Sequence, residues 1–79
     1  MDMAADVEQL RTVPPPFDRA FIDVMIPHRQ GALEAAKAAE TRAQRAEIKQ
    51  MAGVIARDQQ REIDQMRAWR QAWYGSAAP

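Results

Sequence analysis

Two separate stretches of this 79-residue chain repeat their apolar side chains at alternating spacings of four and three residues. This spacing places the side chains on one face of an α-helix, whereas a half-buried β-strand would alternate at every second residue. The first stripe contains Phe21, Met25, His28, Ala32, Ala35 and Ala39, and the second contains Ile48, Ala52, Ile55, Gln59, Glu62, Met66, Trp69 and Trp73. The pattern therefore predicts an all-α protein.

The two stripes are out of phase with each other. Continuing the first pattern leads to positions 42, 46 and 49, which do not coincide with the second pattern. A phase slip near 43–47 is what a turn between two antiparallel helices produces. We therefore predict a long antiparallel helical hairpin, with helices over about 17–43 and 47–74, in preference to one continuous helix.

Three consecutive prolines, at positions 14–16, separate the hairpin from the segment before it, because proline cannot continue a helix. We assign residues 1–16 to a lead-in and proline-rich connector, with one helical turn at 6–11. Residues 17–75 form the helical-hairpin domain, and residues 76–79 are predicted to be a disordered tail.

The hairpin has few large side chains with which to build a core. Apolar residues make up 47% of the chain, but 16 of them are alanine. Two helices of about 27 residues would each be about 40 Å long and would expose much of their apolar stripes to water. Alanine lets helices approach closely. We therefore expect a second hairpin, from a homodimer or from another half of the chain, to complete a ferritin-like four-helix bundle.

Charge and composition argue against several functions. The 11 basic and 11 acidic residues cancel, whereas nucleic-acid binders carry a basic excess. The chain lacks cysteine and has one histidine, which excludes disulfides, thiolate chemistry and a zinc finger. No apolar run reaches the roughly 18 residues of a membrane span, and the acidic N-terminus does not resemble a secretory signal. We predict a non-enzymatic protein with no nucleic-acid or membrane partner.

Three polar residues lie on the predicted core-facing stripes: His28 on the first, and Gln59 and Glu62 on the second. His28 precedes the turn by about 17 residues and Glu62 follows it by about 17, so both lie at nearly the same level of the hairpin. A glutamate in a core costs several kcal/mol unless it is protonated, paired or bound to a metal. We therefore expect these side chains to interact.

Three interpretations of this cluster are open. One is a buried hydrogen-bond network in which His28 donates to an acceptor on the second stripe and fixes the helix register. Another is a metal site in which Met25 and Met66 add thioethers to the imidazole and a carboxylate, a set that favours copper in its reduced form. In the third, a slight rotation places Glu62 at the surface, where it pairs with Arg29 or another basic side chain.

Pro27 lies directly before His28 inside the first predicted helix. It has no N–H to donate to the carbonyl of Asp23, so we expect a kink. The kink either wraps the helix around its partner or directs His28 inward.

Two segments resemble the domain of unknown function 305 family, a group of mostly exported bacterial helical proteins. They are residues 17–32, FDRAFIDVMIPHRQGA, and residues 59–69, QQREIDQMRAW, followed by WYG at 73–75. The resemblance covers about residues 17–75. It implies a ferritin-like fold and a periplasmic or extracytoplasmic location. Because some members of the family are implicated in copper binding through histidine and methionine, it also implies copper binding. The lead-in is similar to the segment before the second repeat of two-repeat members, which implies one half of a duplicated bundle.

Part of the family's histidine and methionine pattern is replaced here. Arg29 stands where a second consecutive histidine is usual, Ala35 where a methionine is common, and Arg45 where another histidine is often found. The positions that match are Met25, His28, Gln59, Glu62, Met66 and Trp69. The resemblance thus implies at most weak copper binding at His28, with co-ligands drawn from the other matching polar and thioether residues. The alternative is a metal-free structural or self-assembly module, in which Arg29 pairs with Glu62 in place of a metal.

Overall fold

A computed structural model describes residues 3–79 and contains three α-helices in that range. They are α1 at Met3–Thr12, α2 at Phe17–Arg42 and α3 at Ala46–Tyr74. Residues 3–79 include no β-strand, so the all-α prediction is confirmed. None of the three helices is long and apolar enough to cross a membrane.

Helices α2 and α3 form an antiparallel hairpin. Asp23 near the start of α2 pairs with Arg70 near the end of α3, and Arg29 pairs with Glu62 nearer the middle. The connection consists of residues 43–45 alone, within the predicted phase slip. It needs no glycine because its residues keep negative φ, and the flanking residues Ala43 and Arg45 have extended backbone.

The ends of the hairpin helices follow from local backbone chemistry. Pro16, with φ −85° and ψ 128°, is extended and directly precedes α2. Gly75 ends α3 in the left-handed conformation, with φ 81°, and its N–H donates to the Gln71 carbonyl over 3.0 Å. Glycine adopts this conformation without the steric cost that a Cβ would add. Helix α2 continues through Pro27.

On α2 the buried contact uses positions beside the predicted stripe, whereas on α3 it includes Ala52 and Met66 of the predicted stripe together with Ile63. Its apolar members are Ile22, Ile26, Leu33 and Ala36 on α2, and Ala52, Ile63 and Met66 on α3. By contrast, Phe21 and Trp69 of the predicted stripes are 41% and 43% exposed. Neighbouring residues on a helix are about 100° apart, so the apolar surface of each helix is wider than its contact with the other helix. One part of this surface packs against the other helix, and the adjacent part is exposed to solvent.

The molecule is a slab one helix thick. It measures 45 × 27 × 14 Å, and a single helix with its side chains is about 10–12 Å across. Helix α1 contacts α2 and, among the described residues, makes no comparable contact with α3. A single layer of helices leaves both broad surfaces of the hairpin open to solvent.

Candidate functional site

An open cavity of about 210 Å³ lies between α2 and α3, in the half of the hairpin nearer the chain termini. Its wall is formed by Phe21, Met25, Arg29, Glu62, Gln65, Met66 and Trp69. The cavity therefore brings together three of the five residues that the sequence predicts as metal ligands, namely the two methionines and Glu62.

An ion pair crosses this cavity from one helix to the other. Arg29 Nη1 lies 3.0 Å from Glu62 Oε2 and donates a longer hydrogen bond, 3.5 Å, to Gln59 Oε1. The Arg29 and Glu62 side chains are 37% and 44% exposed, so water screens their attraction. This arrangement corresponds to the third interpretation of the cluster, in which Glu62 pairs with Arg29.

The pair is incompletely bonded. Arg29 Nε and Glu62 Oε2 are buried atoms without a hydrogen-bond partner in the described part of the chain. The contact between Arg29 and Glu62 thus has the distance of an ion pair without the geometry of a good hydrogen bond. We expect it to contribute at most about 1 kcal/mol to the stability of one hairpin.

His28 lies on the wall of a different cavity. This second cavity, about 480 Å³, is bordered by α1, by the prolines at 14–16 and by α2. The His28 side chain is buried, and its Nε2 contacts the carboxylate of Asp6 in α1. The structure does not bring His28 together with the cavity that contains Met25 and Met66.

The predicted ligands do not fit copper as one set. The imidazole lies in one cavity and the thioethers line another, where the Arg29 guanidinium adds a positive charge beside Glu62. Among residues 3–79, no group of three or more histidine or acidic side chains is arranged to hold a metal ion. Copper binding by His28, Met25, Met66, Glu62 and Gln59 stays a prediction.

Sequence reasoning missed a buried ion pair at the open end of the hairpin. Arg70 donates from Nε and Nη2 to the two carboxylate oxygens of Asp23, over 2.5 and 3.1 Å. Its Nη1 donates to the carbonyls of Ser76 and Ala78 over 2.9 and 3.0 Å, which holds the C-terminal residues against the hairpin. The hydrogen bond with Asp23 raises the pKa of the Arg70 guanidinium above its ordinary value. The available signal was spacing, because Arg70 lies one helical turn after Met66 on the buried stripe.

One broad surface of the hairpin, which we call the apolar face, carries most of the side chains of the predicted stripes. Its members are Phe17, Phe21, Met25, Ala32, Ala35 and Ala39 from α2, and Ile48, Met51, Ile55, Met66, Trp69 and Trp73 from α3. Many of these positions are seven residues apart, or two helical turns, which keeps them on one side. The Arg29–Glu62 pair lies in the middle of the apolar face.

The two ends of the apolar face differ in shape. Near the chain termini, two stacked pairs, Phe17 with Phe21 and Trp69 with Trp73, flank a groove of about 340 Å³, the aromatic groove. Near the turn, alanines of α2 and aliphatic side chains of α3 line a groove of about 320 Å³, the alanine groove. The face therefore has aromatic residues on both helices at one end, and alanines on α2 beside aliphatic residues on α3 at the other.

Comparison with known proteins identifies the family. No curated protein and no solved structure shows significant similarity to the chain. The family described as Domain of unknown function (DUF305) matches residues 1–78, which confirms the resemblance seen in the two motif segments. The chain belongs to the DUF305 family.

Proposed function

We propose that this protein is a non-enzymatic, metal-free assembly module, in which two helical hairpins pair through their apolar faces to form a four-helix bundle. The observation that carries the proposal is the apolar face itself. It runs along the hairpin, and its large residues other than Met25 and Met66 are unusually exposed, from 37% at Ile55 to 60% at Met51.

The size of this surface supports association. Soluble monomers rarely expose contiguous apolar patches larger than a few hundred Å². Two helices side by side, each about 10 Å across, over the 45 Å length of the molecule give a face of roughly 900 Å², comparable with the roughly 800 Å² that a standard interface buries on each partner. Removing apolar surface from water contributes about 25 cal/mol per Å². Pairing therefore stabilises a chain that is otherwise one layer thick.

The Arg29–Glu62 pair has a role in this proposal. It lies at the level where the sequence suggests a metal, and it is a neutral pair in the middle of an apolar surface. Polar groups inside a helical interface weaken it slightly and select one alignment, because any other alignment places charge against apolar side chains. We infer that the pair fixes the register of the two hairpins.

Sedimentation equilibrium of the metal-free protein tests the proposal. We expect a dimer for the wild-type chain and a monomer for Trp69→Glu, which adds a charge to the apolar face. Ala68→Glu adds the same charge on the outer side of α3 and is expected to remain a dimer. Circular dichroism verifies that all three are helical. A wild-type chain that stays monomeric up to its solubility limit would overturn the proposal.

Weak binding of reduced copper is the second candidate. The observation in its favour is that the thioethers of Met25 and Met66 line one cavity with the Glu62 carboxylate. Soft sulfur ligands prefer reduced copper over zinc or magnesium.

A further inference from the structure

We propose that Met51 is an oxidation site that regulates self-association. Conversion of its thioether to the sulfoxide by a peroxide separates the two hairpins, and pairing of the hairpins protects the thioether. This inference rests on the proposed function and adds its regulation. Met51 is covered in either relative direction of the two hairpins, because both directions bring the apolar faces together.

Met51 is the most solvent-exposed methionine of the hairpin. It is 60% exposed, the highest value among the exposed large apolar residues in the described part of the chain. Met25 is half-buried and Met66 is 7% exposed, because both pack at the contact between α2 and α3. Susceptibility to oxidation follows exposure, and the chain lacks cysteine, so no thiol competes for the oxidant. In an unassociated hairpin, Met51 is therefore oxidised before the other two.

The alanine groove around Met51 offers a sulfoxide no side-chain partner from its own chain. Within residues 3–79, the other residues that line this groove are all alanine or isoleucine, among them Ala35, Ala39 and Ile55. The groove lies between two helices, whose backbone N–H groups are already bonded within each helix. A sulfoxide oxygen at Met51 therefore depends on water for its hydrogen bonds, and a second hairpin laid over the groove displaces that water.

The modification is a two-electron oxidation of sulfur. A lone pair of the Met51 sulfur attacks one oxygen of hydrogen peroxide, so that an S–O bond forms and the O–O bond breaks. The departing hydroxide takes the proton of the transferred oxygen and leaves as water. Thioether and peroxide thus give sulfoxide and water, and a polar group replaces an apolar one.

Oxidation and association are coupled because the sulfoxide is more stable in the separate chain. There it is hydrated, whereas between paired hairpins it is buried without a partner from its own groove, which is costly for a polar group. A dimer contains two copies of Met51, so this cost arises twice. Conversely, pairing of unoxidised chains shields the thioether from the peroxide.

Mild peroxide treatment followed by sedimentation equilibrium tests the effect on association, with every variant compared with its own untreated sample. Wild type oxidised at Met51 is expected to associate about tenfold or more weakly than before treatment. Met51→Leu keeps an apolar side chain of similar volume and is expected to change by less than about twofold on the same treatment. Met25→Leu is the matched control, since it lacks another methionine of the apolar face and should remain sensitive to peroxide.

Mass spectrometry of tryptic peptides shows which methionine is oxidised. Residues 20–29, 50–57 and 62–67 each contain one methionine, at positions 25, 51 and 66. We expect the 50–57 peptide to gain oxygen first in dilute protein, and to gain it more slowly as the concentration rises and the chains pair. Methionine sulfoxide reductases for both epimers, supplied with a dithiol that becomes a disulfide as water is released, are expected to restore association.

The possible results separate this inference from the function on which it rests. Untreated wild type that stays monomeric would overturn the proposed function and this regulation with it. An unchanged dimer in which Met51 is fully oxidised, or a Met51→Leu variant that weakens as much as wild type, would overturn the role of Met51 and leave self-association intact. Loss of helical circular dichroism on oxidation would also contradict the separation of folded hairpins. An oxidation rate at Met51 that is equal in monomers and dimers would contradict its burial in the pair.

Discussion

Arg70 is a buried cation held by a carboxylate and by the end of the chain. Its guanidinium contacts both oxygens of Asp23 and the carbonyls of Ser76 and Ala78. Arg70→Gln removes the charge from this group and leaves the partly buried Asp23 carboxylate without its partner. We expect a lower Tm and faster amide hydrogen exchange in the last residues of the chain. Arg61→Gln, at a mostly exposed ion pair with Asp58, is the control and should leave both measurements close to wild type.

The contribution of Arg70 to stability should not change between neutral and mildly alkaline pH. The pKa of Arg70 is raised in the folded state by its hydrogen bond to Asp23. A raised pKa of a cation gives stability that is complete below the unfolded-state pKa and is lost only as the pH rises through the folded-state value. For arginine both lie in strong alkali. The difference in unfolding free energy between wild type and Arg70→Gln should thus be the same at neutral and mildly alkaline pH. A decrease of this difference across that range would contradict the stabilising role of the charged Arg70.

Glu62 is expected to contribute little to the stability of a single hairpin. A fully buried network would predict a loss of about 1–3 kcal/mol for Glu62→Gln. The Arg29–Glu62 pair is partly exposed, so we expect a change of about 1 kcal/mol or less when the protein is dilute and monomeric. Urea unfolding measures this change, and Asp58→Asn supplies a matched exposed pair. A loss well above about 1 kcal/mol in the monomer would indicate a buried network instead.

Copper uptake should be negligible and insensitive to His28. The structure places this imidazole against Asp6, apart from the thioethers. Titration of reduced copper into wild type and His28→Ala is expected to show equal, minimal binding, and elemental analysis of the purified protein should agree. Asp6→Asn is the control, because it changes the His28 contact and keeps the imidazole. Clear uptake that is lost only in His28→Ala would support the metal site.

Of the side-chain contacts, only the one between Arg29 and Glu62 was among the predicted alternatives. Pairing of Arg29 with Glu62 was one of three alternatives, because both residues lie at one level on facing helices. The Asp6–His28 contact was not foreseen, since the sequence predicted only one turn of helix at 6–11 and no docking site for it. Asp23 with Arg70 was missed because arginine was not considered for the buried stripe.

At the level of elements, the phase slip between the two stripes located the turn. The predicted interval, 43–47, contains the actual connection at 43–45. The same stripes misplaced the α2 side of the contact with α3 and matched its α3 side only at Ala52 and Met66, because helical periodicity shows which residues avoid water and not which neighbour they meet. Ile22 and Ile26 were buried one position away from Phe21 and Met25, which remain more exposed on the apolar face.

Replacing Gly53, inside α3, and Gly75, at its C-terminal end, by alanine should change the stability in opposite directions. A Cβ on Gly53 would lie 3.6 Å from the flexible end of Arg57 and 4.0 Å from Glu40, both ordinary contacts. Gly53→Ala should thus raise stability by about 0.5–1 kcal/mol, since alanine restricts the unfolded chain and favours helix. Gly75→Ala should lower it by about 1–2 kcal/mol, because Gly75 has φ +81°. Thermal unfolding of both variants measures the contrast, and equal signs would contradict it.

For the whole molecule, thermal stability should depend on protein concentration. An assembly that binds only folded chains raises Tm as the concentration rises. We expect this increase for wild type over a hundredfold concentration series, and its absence for the Trp69→Glu variant. A Tm for wild type that does not change across the series would argue against association through the apolar face.

The short connection at 43–45 also has a kinetic consequence. It joins α2 directly to α3, and most contacts of such a hairpin are local ones within each helix. Proteins rich in local contacts fold within microseconds to milliseconds. Each hairpin should therefore close within its own chain before it meets a second copy. The later, bimolecular step depends on the square of the chain concentration, and until it occurs the face with Trp69 and Trp73 remains open to water. The abundance of the newly made chain, more than its folding speed, would then set how long that surface is exposed.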